Sequence, residues 1–311
     1  MQALLDAIAR IEPSADARRI FHGRGGRFPG CEQWALDAFP PVWVLTSFLP
    51  VDDTTLALLH DALQRRWAAI APEGATLNWV FQCRHEGRTE TRLMAGSVPD
   101  PHVVHEGGAR YLVHVLRGQN HGLFLDMATG RQWVRENARG QTVLNLFAYT
   151  GAFSVAALQG GARQVVNVDM SSGAMAIGQQ NHALNGLGGG ASFLAHDIFK
   201  TWGRITRGGP YGLVIVDPPS YQKGSFVATK DYARLMRRLP DLLRPGGRAL
   251  LCLNAPELGP DFLQDLVREA APELAFEQRL PNPEAFTDAA PERALKVLLY
   301  RAPALGAQAT P

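Results

Sequence analysis

The chain has 311 residues, of which 46% are hydrophobic and 19% charged, with a formal net charge of +2. That material suits one large or two modest folded domains and excludes a disordered or fibrous protein. The three cysteines, Cys31, Cys83 and Cys252, lack the short spacing of a zinc or redox motif, so neither a metal site nor a disulfide scaffold is expected. The first residues, MQALLDAIARIEPSADARR, hold Asp6 and no uninterrupted apolar stretch, and no run of about 18 apolar residues follows anywhere. A cytoplasmic protein with no membrane partner is expected; the sequence assigns no oligomeric state.

Residues 1–20 hold one helix at most. The stretch FHGRGGRFPG, Phe21 to Gly30, is rich in glycine but lacks the Lys-Ser/Thr ending of a phosphate loop, so it reads as an ordinary loop. Arg18, Arg19, Arg24 and Arg27, or Arg65 and Arg66, are candidates for a local basic stripe, although for any one of them a solvated surface arginine is the favoured reading. Next come VWVLTSFL, LNWVFQC, TRLMA and YLVHVLR as strands, with one amphipathic helix near Thr54 to Trp67. Residues 1–115 are therefore expected to form a small α+β domain.

From about Gln141 the pattern changes to short apolar runs alternating with helical stretches, the mark of βαβ units around a parallel sheet covered on both faces. The strands are TVLNLF (142–147), QVVNVD (164–169), ASFLAH (191–196), GLVIVD (212–217) and RALLCLN (248–254). Helices are expected at Ala152 to Leu158, Gly173 to Leu184 and Lys230 to Leu243, the last ended by Pro245-Gly246-Gly247, and near Asp261 to Ala270. LAFEQRL and RALKVLLY then suit a closing hairpin. The expected architecture is an α/β Rossmann-like sheet of seven strands over residues 116–311.

The chemistry gathers at strand ends. VLNLFAYTGAFSVAALQGGARQVVNVDMS, Val143 to Ser171, is a strand, a sharp turn through Ala148-Tyr149-Thr150-Gly151, a helix, and a strand that ends on Asp169. In an open α/β sheet such a turn borders the ligand crevice, where Gly151 allows close backbone approach and Asp169 can accept from two ribose hydroxyls. A dinucleotide enzyme would use the same carboxylate. The absence of G-x-G-x-x-G favours a cofactor without a pyrophosphate. Asp197 and Asp217 follow the next strands, Asp197 suited to an adenine amino group and Asp217 opening Asp217-Pro218-Pro219-Ser220-Tyr221. Each aspartate taken alone could instead cap a helix or loop.

These blocks resemble the S-adenosylmethionine-dependent methyltransferases of bacterial large-subunit ribosomal RNA, over about Phe21 to Tyr300. The similarity is greatest to the guanine-N7 half of rRNA methyltransferase K/L and extends to the cytosine-C5 rRNA methyltransferase I. GLFLD, Gly122 to Asp126, with Arg131 after it, resembles the family's motif ahead of the sheet. The resemblance implies S-adenosyl-L-methionine as cofactor, held by Phe124, Asp126, Arg131, Asn145, Phe147, Ala148, Tyr149, Gly151, Asp169, Met170, Asp197, Ile198 and Asp217. It places Asp217, Pro218, Pro219 and Asn254 at the reacting atoms, with Ser220, Tyr221 and Asn254 on the substrate, and implies ribosomal RNA as partner. No counterpart of the PUA domain of the cytosine enzyme, or of the THUMP module and second methyltransferase of the bifunctional one, is expected within these 311 residues. A methyltransferase of a small molecule or protein shares every cofactor residue, and a non-catalytic adaptor would share the fold.

Cytosine C5 becomes nucleophilic only after a thiolate adds at C6. Counted from Gly246-Gly247, the position of that cysteine is Asn254, while Cys252 lies two residues earlier in an apolar run and reads as core. Guanine N7 already offers a lone pair, so positioning can suffice. The residues lean toward guanine N7.

Overall fold

The computed structural model describes residues 1–219, 221–222 and 226–305, the side chains of 221 and 222 excepted. It divides into two units, Met1–Ala128 with Pro283–Pro291, and Thr129–Asn282 with Glu292 onward. The expected boundary at 115/116 falls earlier than this division, and the return of a late segment to the first unit carries no mark in the sequence.

The first unit opens with α1 (Gln2–Ala9), β1 (Arg18–His22), β2 (Trp34–Phe39) and β3 (Val42–Ser47). Then follow α2 (Asp53–Ile70), β4 (Asn78–His85), β5 (Arg88–Ala95), β6 (His102–Glu106) and β7 (Ala109–Val113). Five strands form one sheet in the order β1-β2-β3-β4-β5, and β6 and β7 form a separate two-stranded sheet. α2 is the crossover that makes β3 and β4 parallel; the other pairs in the sheet are antiparallel. Asp52 caps it, its carboxylate accepting from the Thr55 amide at 2.7 Å. Leu4 and Ile8 of α1 and Leu56, Leu59 and Leu63 of α2 bury against Trp34, Leu36, Leu45, Trp79 and Phe81 of the sheet. β1, β2 and β6 are strands that the sequence reading lacked. In β2 the buried Asp37 interrupts the apolar run, and its charge is met by Arg19 of β1 at 2.5 Å.

The second unit begins in α3 (Ala128–Asn137) and continues through β8 (Thr142–Leu146), α4 (Ala152–Gln159), β9 (Gln164–Asp169), α5 (Ser172–Leu184) and β10 (Ala191–Ala195). After α6 (Trp202–Arg207) come β11 (Tyr211–Val216), the short pair β12 (Tyr221–Gln222) and β13 (Phe226–Val227), α7 (Ala228–Met236) and α8 (Leu239–Leu242). β14 (Leu243–Leu253), α9 (Pro260–Ala270), β15 (Ala275–Arg279) and β16 (Lys296–Arg301) complete it. The sheet order is β10-β9-β8-β11-β14-β16-β15, with β8 to β14 parallel and β16 antiparallel to both neighbours. Five parallel strands and a closing antiparallel pair are the seven-stranded Rossmann-like sheet expected from the sequence. The helix expected over 230–243 ends sooner, because Leu243 already pairs with Tyr211 and β14 runs irregularly through Pro245-Gly246-Gly247.

Chain order fixes where a ligand crevice can open. β9 and β10 step away from β8 on one side, while β11 returns to its other side. This reversal between β8 and β11 is a topological switch point, and the crevice of such a sheet lies beyond the carboxyl ends of its strands.

Candidate active site

Register brings the expected residues to one edge of the second unit. Val216 pairs with Leu146, Leu146 with Val168, and Val216 with Leu251. Phe147, Asp169, Asp217 and Cys252 therefore follow on four adjacent strands at one level, with Asn254 two residues beyond Cys252.

The turn after β8 is held in an unusual backbone shape. Phe147 has φ +57° and Tyr149 +47°, a region where bulky side chains are strained, and Gly151 has +70°. Hydrogen bonds hold it there: the Ala148 amide donates to the Val168 carbonyl at 3.1 Å, and Gly151 to the Ala148 carbonyl at 2.8 Å. Asn181 of α5 donates its amide to the Thr150 carbonyl at 3.0 Å. Asp169 is tied to this turn directly, one oxygen accepting from the Tyr149 amide at 2.9 Å and the other from the Ser171 amide at 2.8 Å. Each oxygen keeps a lone-pair direction beyond the bond it makes, so the carboxylate is oriented and can still accept two more donors.

Beneath the turn runs a buried polar ladder that sequence reasoning missed. Asn145 donates to Asn167 Oδ1 at 2.9 Å, Asn167 to Ser154 Oγ at 2.9 Å, and Ser154 Oγ lies 2.9 Å from His182 Nε2. His182 Nδ1 sits 2.7 Å from the Gly178 carbonyl, which can only accept, so Nδ1 carries the proton and Nε2 accepts from the serine hydroxyl. All four side chains are buried, and burial lowers the His182 pKa, keeping the ring neutral. Asn145, expected at the cofactor, thus spends its amide inside the sheet and supports the turn from below. The Ile198 side chain belongs to the hydrophobic core.

Met170 is 52% exposed beside Asp169. Asp197 accepts from the Phe199 amide at 2.8 Å, the capping role that was its alternative reading. Phe147 packs its ring edge against Phe226 at 5.2 Å. Asp217 and Pro219 are half-buried, Pro218 buried and Asn254 exposed. Ser220 lies outside the described residues, as does the side chain of Tyr221. Phe124 and Asp126 belong to the first unit, where Phe124 is exposed and Asp126 half-buried; Arg131 is buried in α3 of the second.

Tyr232 of α7 is a second element without a sequence signal. Fully buried, its hydroxyl reaches the carbonyls of Cys252 and of Val216, the latter at 3.4 Å, and so links the ends of β14 and β11. Burial pushes its pKa well up, with the Cys252 and Asp217 charges adding to the effect, so the hydroxyl remains a donor. Cys252 itself is 0% exposed.

An oriented carboxylate on the second strand, a close-approach turn after the first and no phosphate-cradling loop suit a cofactor recognised through its ribose. The sequence profile of the S-adenosylmethionine-dependent methyltransferases matches residues 18–301. The chain belongs to that family. Its cofactor is S-adenosylmethionine, which Asp169 and the turn from Phe147 to Gly151 have the donors, acceptors and backbone shape to hold.

Among the relatives of this methyltransferase is ribosomal RNA large subunit methyltransferase I of Erwinia tasmaniensis, 31% identical over 279 residues, which cover 87% of this chain and 68% of that protein. The methyltransferase I of Aeromonas hydrophila is 35% identical over 60% of this chain and 49% of its own length. Ribosomal RNA large subunit methyltransferase K/L of a Psychrobacter species is 37% identical over 55% of this chain and 22% of that protein. The chain thus spans about half or less of two of these relatives. In fold it is similar to the methyltransferase SMU.776, solved with SAH, at a TM-score of 0.79 and 23% identity over 97% of this chain and 79% of that one. Among the described residues no group of three or more His, Cys, Asp or Glu is placed to hold a metal ion, and no helix is long and apolar enough to cross a membrane.

Proposed function

We propose that this methyltransferase modifies a base of large-subunit ribosomal RNA in the bacterial cytoplasm, with guanine N7 as the acceptor atom. The names of the relatives support the RNA class. The choice of atom rests on one observation: at the substrate edge the exposed side chain is Asn254, whereas Cys252 is wholly buried.

S-adenosylmethionine supplies a methyl group on a positively charged sulfur. Asp169 holds ribose hydroxyls, and the backbone from Phe147 to Gly151 shapes the floor beside them. Asp217, followed by two prolines that stiffen its backbone, faces the reacting edge, and Asn254 offers both a donor and an acceptor to a base. Guanine N7 carries no proton, so no side chain has to remove one. The task left to these residues is orientation.

The similarity to methyltransferase I favours a second reading, cytosine C5 through a covalent adduct. It would require Cys252 to leave the core, and its thiol is the nearest to the edge in sequence. Transfer of labelled methyl groups to ribosomal RNA from a strain lacking the gene, followed by mapping of the modified nucleotide, tests both readings. Folded Cys252→Ala protein should stay active, and the wild type should form no adduct with RNA containing 5-fluorocytosine. Loss of activity in this variant, together with an adduct in the wild type, would establish the cytosine reading instead.

A further inference from the structure

The glycine-rich stretch that the cofactor site does not use forms a rigid turn in the first unit. After β1, residues Gly23–Gly25 make one 3-10 turn whose Gly23 carbonyl accepts from Gly26 at 2.9 Å. A Cβ on Gly23 would stand 1.9 Å from the Cys31 carbonyl oxygen, and one on Gly25 would stand 2.5 Å from Asp288 Oδ1. The turn is therefore pressed against its surroundings on both sides of Arg24, and only Arg24 projects a side chain from it.

The guanidinium of Arg24 sits 3.9 Å from the centroid of the Phe48 ring. Phe48 is itself pinned, its amide donating to the Gln33 carbonyl at 2.9 Å, with Ser47 Oγ donating to the Leu49 carbonyl beside it at 2.6 Å. Arg19 and Arg84 lie close by. Asp37 meets Arg19, Asp288 meets His22 at 3.2 Å, and Arg84 donates to the Gln82 side chain and to the Gln119 carbonyl at 2.7 Å. Arg24 takes no carboxylate and no hydrogen-bond acceptor among the described residues. Although its side chain is exposed, desolvation and then the like charge of Arg19 lower its pKa. Burial likewise pushes Arg84 down to about 10.

A guanidinium fixed by two obligate glycines, seated on a fixed ring, crowded by like charge and given no acceptor is built for an anion that comes from outside. Along the chain, Leu49 next to Phe48 is 48% exposed, and in the stretch after Arg24 Phe28 is 38% exposed and Arg27 exposed. Cationic groups interleaved with aromatic faces match a single-stranded nucleic acid, whose phosphates and bases alternate in the same way.

We infer that Arg24 on Phe48 is a phosphate-binding element for a single-stranded stretch of the RNA substrate, an inference that rests on the RNA reading above. The test is fluorescence anisotropy of a labelled, unstructured 20-nucleotide RNA with the full chain across a series of KCl concentrations. Arg24→Ala should weaken binding by about tenfold or more and flatten the slope of log K against log[KCl] by about 0.7, the share of one single-strand phosphate. Arg24→Lys should keep the slope and lose part of the affinity, because charge remains while the forked donors go. Phe48→Leu should weaken binding with the slope unchanged, and S-adenosylmethionine affinity by calorimetry should not move in any of the three. Wild-type affinity and slope in folded Arg24→Ala would overturn the inference and leave the RNA reading standing. Failure of the wild-type protein to bind the RNA would overturn both. Displacement of the RNA by polyglutamate as readily as by unlabelled RNA would assign the patch to an acidic protein segment, and would overturn it as well.

Discussion

At Asp169 two backbone amides orient the carboxylate before any ligand arrives, so the hydrogen bonds to ribose that we propose for it would need little ordering. Asp169→Ala removes two charge-assisted bonds of roughly 1.5–3 kcal/mol each, less whatever water recovers. S-adenosylmethionine affinity should fall at least tenfold in calorimetry while the far-ultraviolet circular dichroism stays unchanged; an unaltered affinity would remove Asp169 from the cofactor site. Asp217→Ala should behave in the opposite way, losing methyl transfer with a much smaller change in cofactor binding. Full turnover in that variant would make the Asp-Pro-Pro motif a structural corner. The strand-end positions of both aspartates were legible from sequence because each ends an apolar run at the carboxyl edge of a parallel strand. Asn145 looked equally well placed, yet its side chain points along the sheet, and alternation on a buried strand does not reveal which buried polar group serves a neighbour.

Among the elements, the polar ladder joins β8 and β9 to α4 and α5 under the strained turn. Ser154→Ala would leave His182 Nε2 without its donor and Asn167 with one partner fewer, the Ser192 carbonyl at 3.3 Å remaining. Leaving such a group unsatisfied costs roughly 1–3 kcal/mol, readable as a lower urea midpoint at unchanged slope. The hydroxyl donates to the ring only when Nε2 is unprotonated, so its removal should raise the His182 pKa in an NMR titration. An unmoved pKa would contradict the tautomer deduced from the Gly178 carbonyl. The inner strands of the main sheet were readable because burial on both faces leaves nearly unbroken apolar runs. The ladder was not, since Ser154 and His182 sit in helices 28 residues apart with no periodic relation. β2 escaped for a related reason: a charge at its centre, Asp37, is compatible with a strand only because β1 supplies Arg19, and that pairing exists only in three dimensions.

Across the whole molecule the histidines are unevenly placed. In the first unit burial lowers the pKa of His22, His102 and His114 and takes His121 from 6.5 to about 4; in the second, His182 is the one lowered. When a histidine is harder to protonate folded than unfolded, acid favours the unfolded chain: its stability is complete above about pH 6.5 and is lost as pH falls toward the folded value. The first unit should therefore loosen ahead of the second between about pH 6.5 and 4. Hydrogen exchange by mass spectrometry should show amides of β2 and β4 losing protection over that range before those of β8 and β9, and simultaneous loss would refute the assignment.

That first unit also depends on Pro283–Pro291, where Phe286 lies 4.5 Å from the Arg19 guanidinium and Asp288 meets His22 of β1. On a ribosome the strands of the first unit emerge early, but this last piece waits until the chain from Thr129 to Asn282 has been made. At about 5–20 residues per second the delay is roughly 8–30 s. For that interval Arg19 and His22 stand without the ring and the carboxylate that meet them in the finished protein. A nascent chain arrested before Pro283 should accordingly be cut by protease near β1, and one released after Pro291 should resist.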